Sequence, residues 1–202
     1  MSPSGRTLAV VGPVSCLAGV AHAGESPRAL VEKMTREAVD ILGNRGLSSA
    51  EKRHRIEDLA YANIDFDTMS RLVLARNWSG LSPAQQAEFV KLFREHLALT
   101  YGRSLESYSN EKVEVVGERD EGRGDWSVTT KILRGGGNAD VLVGYRLRPE
   151  NDAWRIIDVI IERVSLVGNF RSQFQEIMSG GGPTKLLDIL REKNAKGKPL
   201  KS

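Results

Sequence analysis

Between Ser26 and Tyr108 apolar residues recur every three or four positions, and from Val113 to Ile161 they recur mostly every second one. The first spacing predicts helices, the second half-buried strands. Leu30, Met34, Ala38, Ile41 and Leu42 share one helical face, opened by Ser26-Pro27 and closed by Gly43-Asn-Arg-Gly46. A second helix starts near Ser48 or Ser49 and carries Ile56, Leu59 and Ala60. Asn63-Ile-Asp65 interrupts it, and Phe66, Met69, Leu72 and Val73 predict a short third helix.

The sharpest local signal is Leu81-Ser-Pro-Ala-Gln85, in which Ser82 caps a helix, Pro83 fits its first position and Gln85 completes a capping box. Behind it runs the stripe Val90, Phe93, Leu97, Tyr101, Leu105, Tyr108, widened by Phe89 and Leu92 beyond a coiled-coil seam. The strands follow. Val113 and Val115 mark the first, Trp126, Val128, Thr130 and Ile132 the second, Val141, Val143, Tyr145 and Leu147 the third. The fourth, 154–161, is apolar on both faces for much of its length. Links at 118–124, 135–138 and 149–152 carry turn chemistry, and links this short predict an antiparallel meander. Helices return at 169–178 and 184–193, separated by Gly180-Gly-Gly-Pro183. The fold class is α+β: a four-stranded antiparallel meander sheet packed with N-terminal and C-terminal helices.

Residues 1–23 read differently. Arg6, a short apolar stretch broken by Gly12 and Pro13, and Ala21-His-Ala23 stand in the order of a cleaved signal peptide. Pro13 stands where a lipobox ahead of Cys16 would want Leu, which argues against a lipoprotein. Cys16 is the chain's one cysteine, so cleavage after Ala23 leaves a thiol-free protein suited to an oxidising compartment. The expected organisation is a leader at 1–23, one domain at 24–192 and a basic flexible tail at 193–202.

Composition excludes more than it selects. Of 202 residues, 40% are hydrophobic and 27% charged, which fits neither a disordered chain nor a membrane bundle. A net charge of +3 without a long basic block argues against nucleic acid. Three His and one Cys leave little for a metal cluster, and no metal is expected. There is no HExxH, no phosphate-cradling Gly-rich loop and no G-x-S-x-G. His54 and His96 read as solvated helix residues, and Asp65 and Asp67 as helix-capping acids. Asp158 alternates with Ile156 and Ile160 and supports a rival reading, a small exported enzyme with a pocket acid, although no second polar partner is identifiable.

Two stretches resemble a known family. One is Phe66-Asp-Thr-Met-Ser-Arg-Leu-Val-Leu-Ala-Arg-Asn-Trp78 with Gln85-Gln86, Phe89, Phe93, Leu97, Thr100-Tyr101, Leu105 and Tyr108. The other is Val143-Gly-Tyr145, Trp154-Arg-Ile-Ile-Asp158, then Glu162-Arg-Val-Ser165-Leu-Val-Gly-Asn169-Phe-Arg171-Ser-Gln173-Phe174. Together they resemble the MlaC, or toluene-tolerance, family of periplasmic phospholipid-binding proteins, from about Ser26 to Arg191. Ala75 and Arg163 depart from it, since both stand where the family usually has Gly. A hopanoid-associated branch is a neighbouring alternative, and a protein-binding periplasmic adaptor is a third reading.

The resemblance implies a non-enzymatic periplasmic carrier without cofactor, and a monomer is the default expectation because no stable oligomer is indicated. It would shuttle phospholipid between an outer-membrane lipoprotein–porin complex and an inner-membrane ABC transporter complex, maintaining outer-membrane lipid asymmetry. It also implies an apolar pocket between sheet and helices. Candidate wall residues are Phe93, Leu97 and Tyr101 from the long helix and Val128, Val143, Tyr145, Ile156 and Val159 from the sheet. Val164, Leu166 and Val167 are candidates for a mouth or hinge. Each also has a plain core reading, and the parity of Ile156 against Val159 is open.

Overall fold

Capping chemistry sets where the helices begin. In the computed structural model, which describes residues 25–106 and 111–200, Ser26 accepts the Ala29 N–H at 3.1 Å and opens α1 (Pro27–Gly43). Ser48 and Glu51 form a complete capping box at α2 (Ser49–Asn63). Asp65 accepts the Thr68 N–H at 2.8 Å and opens α3 (Phe66–Leu74), as its position before an apolar run suggests. A 3₁₀ turn over Ala75–Gly80 leads to α4 (Pro83–Glu106), where Ser82 and Gln85 exchange bonds of 3.0 and 3.3 Å. The leader expected at 1–23 and Tyr108 lie outside the described residues, as does the side chain of Leu105.

The sheet consists of β1 (Lys112–Gly122), β2 (Asp125–Leu133), β3 (Val141–Glu150), β4 (Ala153–Ile161) and the two-residue β5 (Val164–Ser165), and α5 (Leu166–Ala195) follows. Each strand pairs antiparallel with the next in chain order. This is the expected meander with one short strand added. The link expected at 118–124 is mostly strand, and the chain reverses around Arg123, between Gly122 and Gly124, all three at positive φ. Glu118, Arg119 and Asp120 hide the strand from an apolar-alternation reading because this edge is exposed, yet their backbones pair with β2. Likewise Pro149 and Glu150 belong to β3, and only Asn151 (φ 46°) and Asp152 (φ 64°) form the turn.

The two C-terminal helices form one element broken at a single residue. Gly182 has φ 67° and ψ −167°, a conformation open to glycine, and Pro183 starts the second half. The tail expected to be loose is tied down as far as residue 200. Its first residues continue α5, and Leu200 is buried in the helical core, its N–H donating to His96 Nε2 at 3.1 Å.

There are two cores. In the helical one, Phe89 and Phe93 of α4 meet Phe170 and Phe174 of α5 at ring-centroid distances of 5.2–5.6 Å. Leu186, Leu187 and Leu190 close it. In the other, Leu30 and Val31 of α1 cover Val128, Leu147, Trp154 and Ile156 of the sheet.

A β-bulge in β4 decides what faces where. Leu147 pairs with Ile156 but Arg146 pairs with Asp158, so Ile157 is an extra residue on the β4 side. Tyr145 and Leu147 share a face, being two apart, and their partners are Val159 and Ile156. The bulge therefore puts Ile156 and Val159 on one face and breaks the simple alternation that grouped Asp158 with Ile156.

Candidate functional site

Where the two cores meet, α2, α3, α4, β4 and the start of α5 enclose a cavity of about 270 Å³. Its floor is Val159 and Ile161 of β4, continuing the sheet face that α1 covers further along. Phe66 and Met69 of α3 and Leu166 of α5 close one side. Leu97, Ala98 and Tyr101 of α4 close another. The outer wall is α2, through Ile56, Ala60 and Tyr61, with Ile64 just beyond its end.

That wall packs against α1 and is tied to the sheet at its C-terminal end. Ile64 forms a parallel bridge with Ile156, and the Asp65 N–H donates to the Ile156 carbonyl at 2.9 Å. Along the helix itself no residue is fully buried.

The lining is chemically polarised. Its four charged residues, Lys52, Arg53 and Glu57 on α2 and Arg94 on α4, all lie along the α2–α4 seam, and α3, β4 and α5 contribute apolar groups alone. Lys52 Nζ donates to the Leu42 carbonyl at 2.6 Å. The Arg94 guanidinium carbon stands 4.3 Å from the centroid of the Tyr61 ring, a cation–π contact. Its Nε is buried and has no hydrogen-bond partner among the described residues. Burial raises the Tyr61 and Tyr101 phenols above their ordinary pKa, so both remain neutral.

Of the eleven candidate wall residues, the structure brings Leu97, Tyr101, Val159 and Leu166 together at the cavity. Phe93 and Val167 lie in the helical core, Phe93 meeting the Phe170 and Phe174 rings of α5 edge-on. Val128 and Ile156 lie under α1, and Tyr145 packs against that same core. Val143 is buried in the sheet, its carbonyl accepting from Thr130 Oγ1 at 3.3 Å. Val164 is 54% exposed on β5.

Most of the cavity residues that sequence reasoning missed are on α2 and α3, with Leu42, Arg94, Ala98, Gly102 and Ile161 contributed by other elements. Ile56 and Ala60 stand four apart, but Lys52, Arg53 and Glu57 share the inward side with them, so the helix shows almost no apolar face.

Two polar groups have structural work. Asp158 is buried and absent from the cavity lining; its Oδ2 accepts the Ser165 hydroxyl at 2.6 Å and its Oδ1 the Val167 N–H at 3.0 Å. Ser165 in turn accepts the Gly168 N–H at 2.9 Å. The second polar partner of Asp158 is thus a helix cap. His96 is fully buried, contrary to the solvated reading, with Nδ1 2.9 Å from Asn194 Oδ1. Nε2 accepts the Leu200 N–H, which places the ring proton on Nδ1.

No group of three or more metal-ligating side chains occurs among the described residues. No described helix is long and apolar enough to cross a membrane. An apolar cavity with charge at one end is suited to an amphiphile.

The family model described as MlaC protein matches residues 32–192. A curated relative, the intermembrane phospholipid transport system binding protein MlaC of Haemophilus influenzae, is 23% identical over 66% of this chain and 63% of its own length. Another, the toluene tolerance protein ttg2D of Pseudomonas putida, is 28% identical over 59% of this chain and 55% of its own. The chain thus matches less than two thirds of either relative. Among solved structures, a phospholipid-binding protein from Ralstonia solanacearum in complex with a phospholipid superposes with a TM-score of 0.76 at 25% identity. That match covers 87% of this chain and 99% of the other.

Proposed function

The chain belongs to the MlaC family, and from that membership we propose that it is a periplasmic phospholipid carrier that holds acyl chains in the cavity behind α2. It would move lipid between an outer-membrane lipoprotein–porin complex and an inner-membrane ABC transporter complex and so maintain outer-membrane lipid asymmetry. The names of the two curated relatives and the phospholipid complex of the Ralstonia protein support this reading.

The observation that carries it is the polarised lining. A diacyl lipid exposes roughly thirty chain carbons, and at about 0.8 kcal/mol per CH₂ they need a dry apolar enclosure outside a bilayer. Met69, Val159, Ile161 and Leu166 supply apolar depth, and the charged seam supplies a place for the polar end. At about 270 Å³ the cavity lies just below the roughly 300–1,000 Å³ typical of ligand pockets, so two chains require it to widen. The wall that yields is α2, which has no buried residue to unseat.

No catalytic group is required. A carrier needs near parity with the bilayer, so that partner complexes can load and unload it. The test is transfer of a fluorescent phospholipid from donor to acceptor vesicles. The chain should accelerate transfer in proportion to its concentration, and a rate equal to that of vesicles alone would refute the carrier.

A further inference from the structure

Arg94 presents a problem that the protein does not solve by itself. Its Nε is buried in the cavity region without a hydrogen-bond partner among the described residues, while the guanidinium carbon lies over the Tyr61 ring. A buried N–H without an acceptor is costly, and an arginine keeps its charge, so deprotonation does not relieve it. The charged lining around it comprises the cations Lys52 and Arg53 and the single acid Glu57. Lys52 is engaged with the Leu42 carbonyl. The lining of the seam thus carries three cations against one acid, with Glu95 and Asp58 also within electrostatic reach of Tyr61.

We propose that Arg94, which lies over the Tyr61 ring, receives the phosphate of the bound lipid at the α2–α4 seam and thereby selects phosphate-bearing lipids over neutral ones of equal chain length. This rests on the carrier reading and goes beyond it by naming the selecting residue. The planar guanidinium offers several N–H donors in a fixed fork, a match for phosphate oxygens. The aromatic contact spares the side chain much of the ordering that a free arginine would undergo on binding. The acyl chains then run toward α3, β4 and α5, where the lining has no charge.

The experiment compares phosphatidylglycerol with a diacylglycerol carrying the same two chains, each presented in equal amount to the delipidated full chain in one non-ionic detergent that is then dialysed away. Retained lipid is read by native mass spectrometry. Wild type should prefer phosphatidylglycerol, and Arg94→Gln should lower that preference about tenfold or more, the scale of a lost charge-assisted hydrogen bond. Arg94→Lys should fall between, keeping charge without the fork. Tyr61→Leu, which leaves the arginine but removes its platform, should lower the preference by a smaller factor. The preference is a ratio within one protein, so a general loss of folding does not imitate the result. An unchanged ratio in both Arg94 variants would overturn the proposal and leave the carrier standing. Refusal of both lipids by wild type would overturn the carrier reading itself.

Discussion

Asp158 on β4 accepts the Ser165 hydroxyl at 2.6 Å, fastening the end of the sheet to the first turn of α5. With the Val167 N–H on its other oxygen, the carboxylate sits where the positive end of a helix dipole favours it. Asn at this position keeps one acceptor and loses the other. Asp158→Asn should cost about 1–3 kcal/mol, or several degrees in Tm for a domain of this size. Lipid held by the folded fraction should be unchanged. A thermal melt paired with lipid extraction checks both, and loss of lipid at full stability would return Asp158 to the site.

His96 makes stability depend on pH. Burial is the main cause that lowers its pKa below 6.5, opposed by the Asn194 bond and aided by Lys193. Phe170 packs its ring against the imidazole, and the Leu200 N–H needs Nε2 unprotonated. The unfolded chain therefore binds the proton first, so this contribution is fully present above about pH 6.5 and is lost as pH falls toward the folded value. Urea unfolding at pH 7.5 and 5.5 should show lower stability in acid, and His96→Phe should remove that part of the difference.

Ala75 and Arg163, the two departures from the family's glycines, both adopt positive φ. Ala75 has φ 48° and ψ −122°, near the first central position of a type II′ turn. Arg163, φ 68°, follows Glu162, φ 48°, in the two-residue turn between β4 and β5. Strain of this kind costs about 1–3 kcal/mol, more than the added flexibility of glycine in the unfolded chain. Ala75→Gly should thus stabilise by about 1 kcal/mol and Arg163→Gly by somewhat less, read as a rise in Tm with lipid occupancy intact.

Cavity volume is the most direct lever on capture. Ala60 and Ala98 face the cavity from α2 and α4. Ala98→Trp should fill it and lower lipid occupancy at least tenfold. Phe93→Ala, which empties the helical core instead, should cost about 3–5 kcal/mol of stability. Vesicle transfer and urea titration of both variants separate the two effects. Equal occupancy in Ala98→Trp and wild type would place the acyl chains elsewhere.

The helix starts were legible because caps are local: Ser26, Ser48, Asp65 and Ser82 each act on a backbone three residues away. Strand pairing was legible through alternation wherever one face is buried, and failed at residues 118–121, where the strand continues along an exposed edge. The site was harder to see. A stripe such as Phe93-Leu97-Tyr101 reads as one face, but only its last two members reach the cavity, because Phe93 is covered by Phe170 and Phe174 of α5. The Ile157 bulge is likewise set by cross-strand pairing and leaves no period to read. Most hidden was α2, whose inward side mixes Ile56 and Ala60 with Lys52, Arg53 and Glu57. A helix whose inward side mixes apolar and charged residues shows, in sequence, no apolar stripe to mark it as a cavity wall.

Whether the cavity behind α2 holds phospholipid is read by native mass spectrometry of the protein purified from periplasm without detergent. A near-stoichiometric mass increment that leaves on unfolding and extracts as phospholipid is expected. A clean protein mass, with no uptake from phospholipid vesicles, would contradict it.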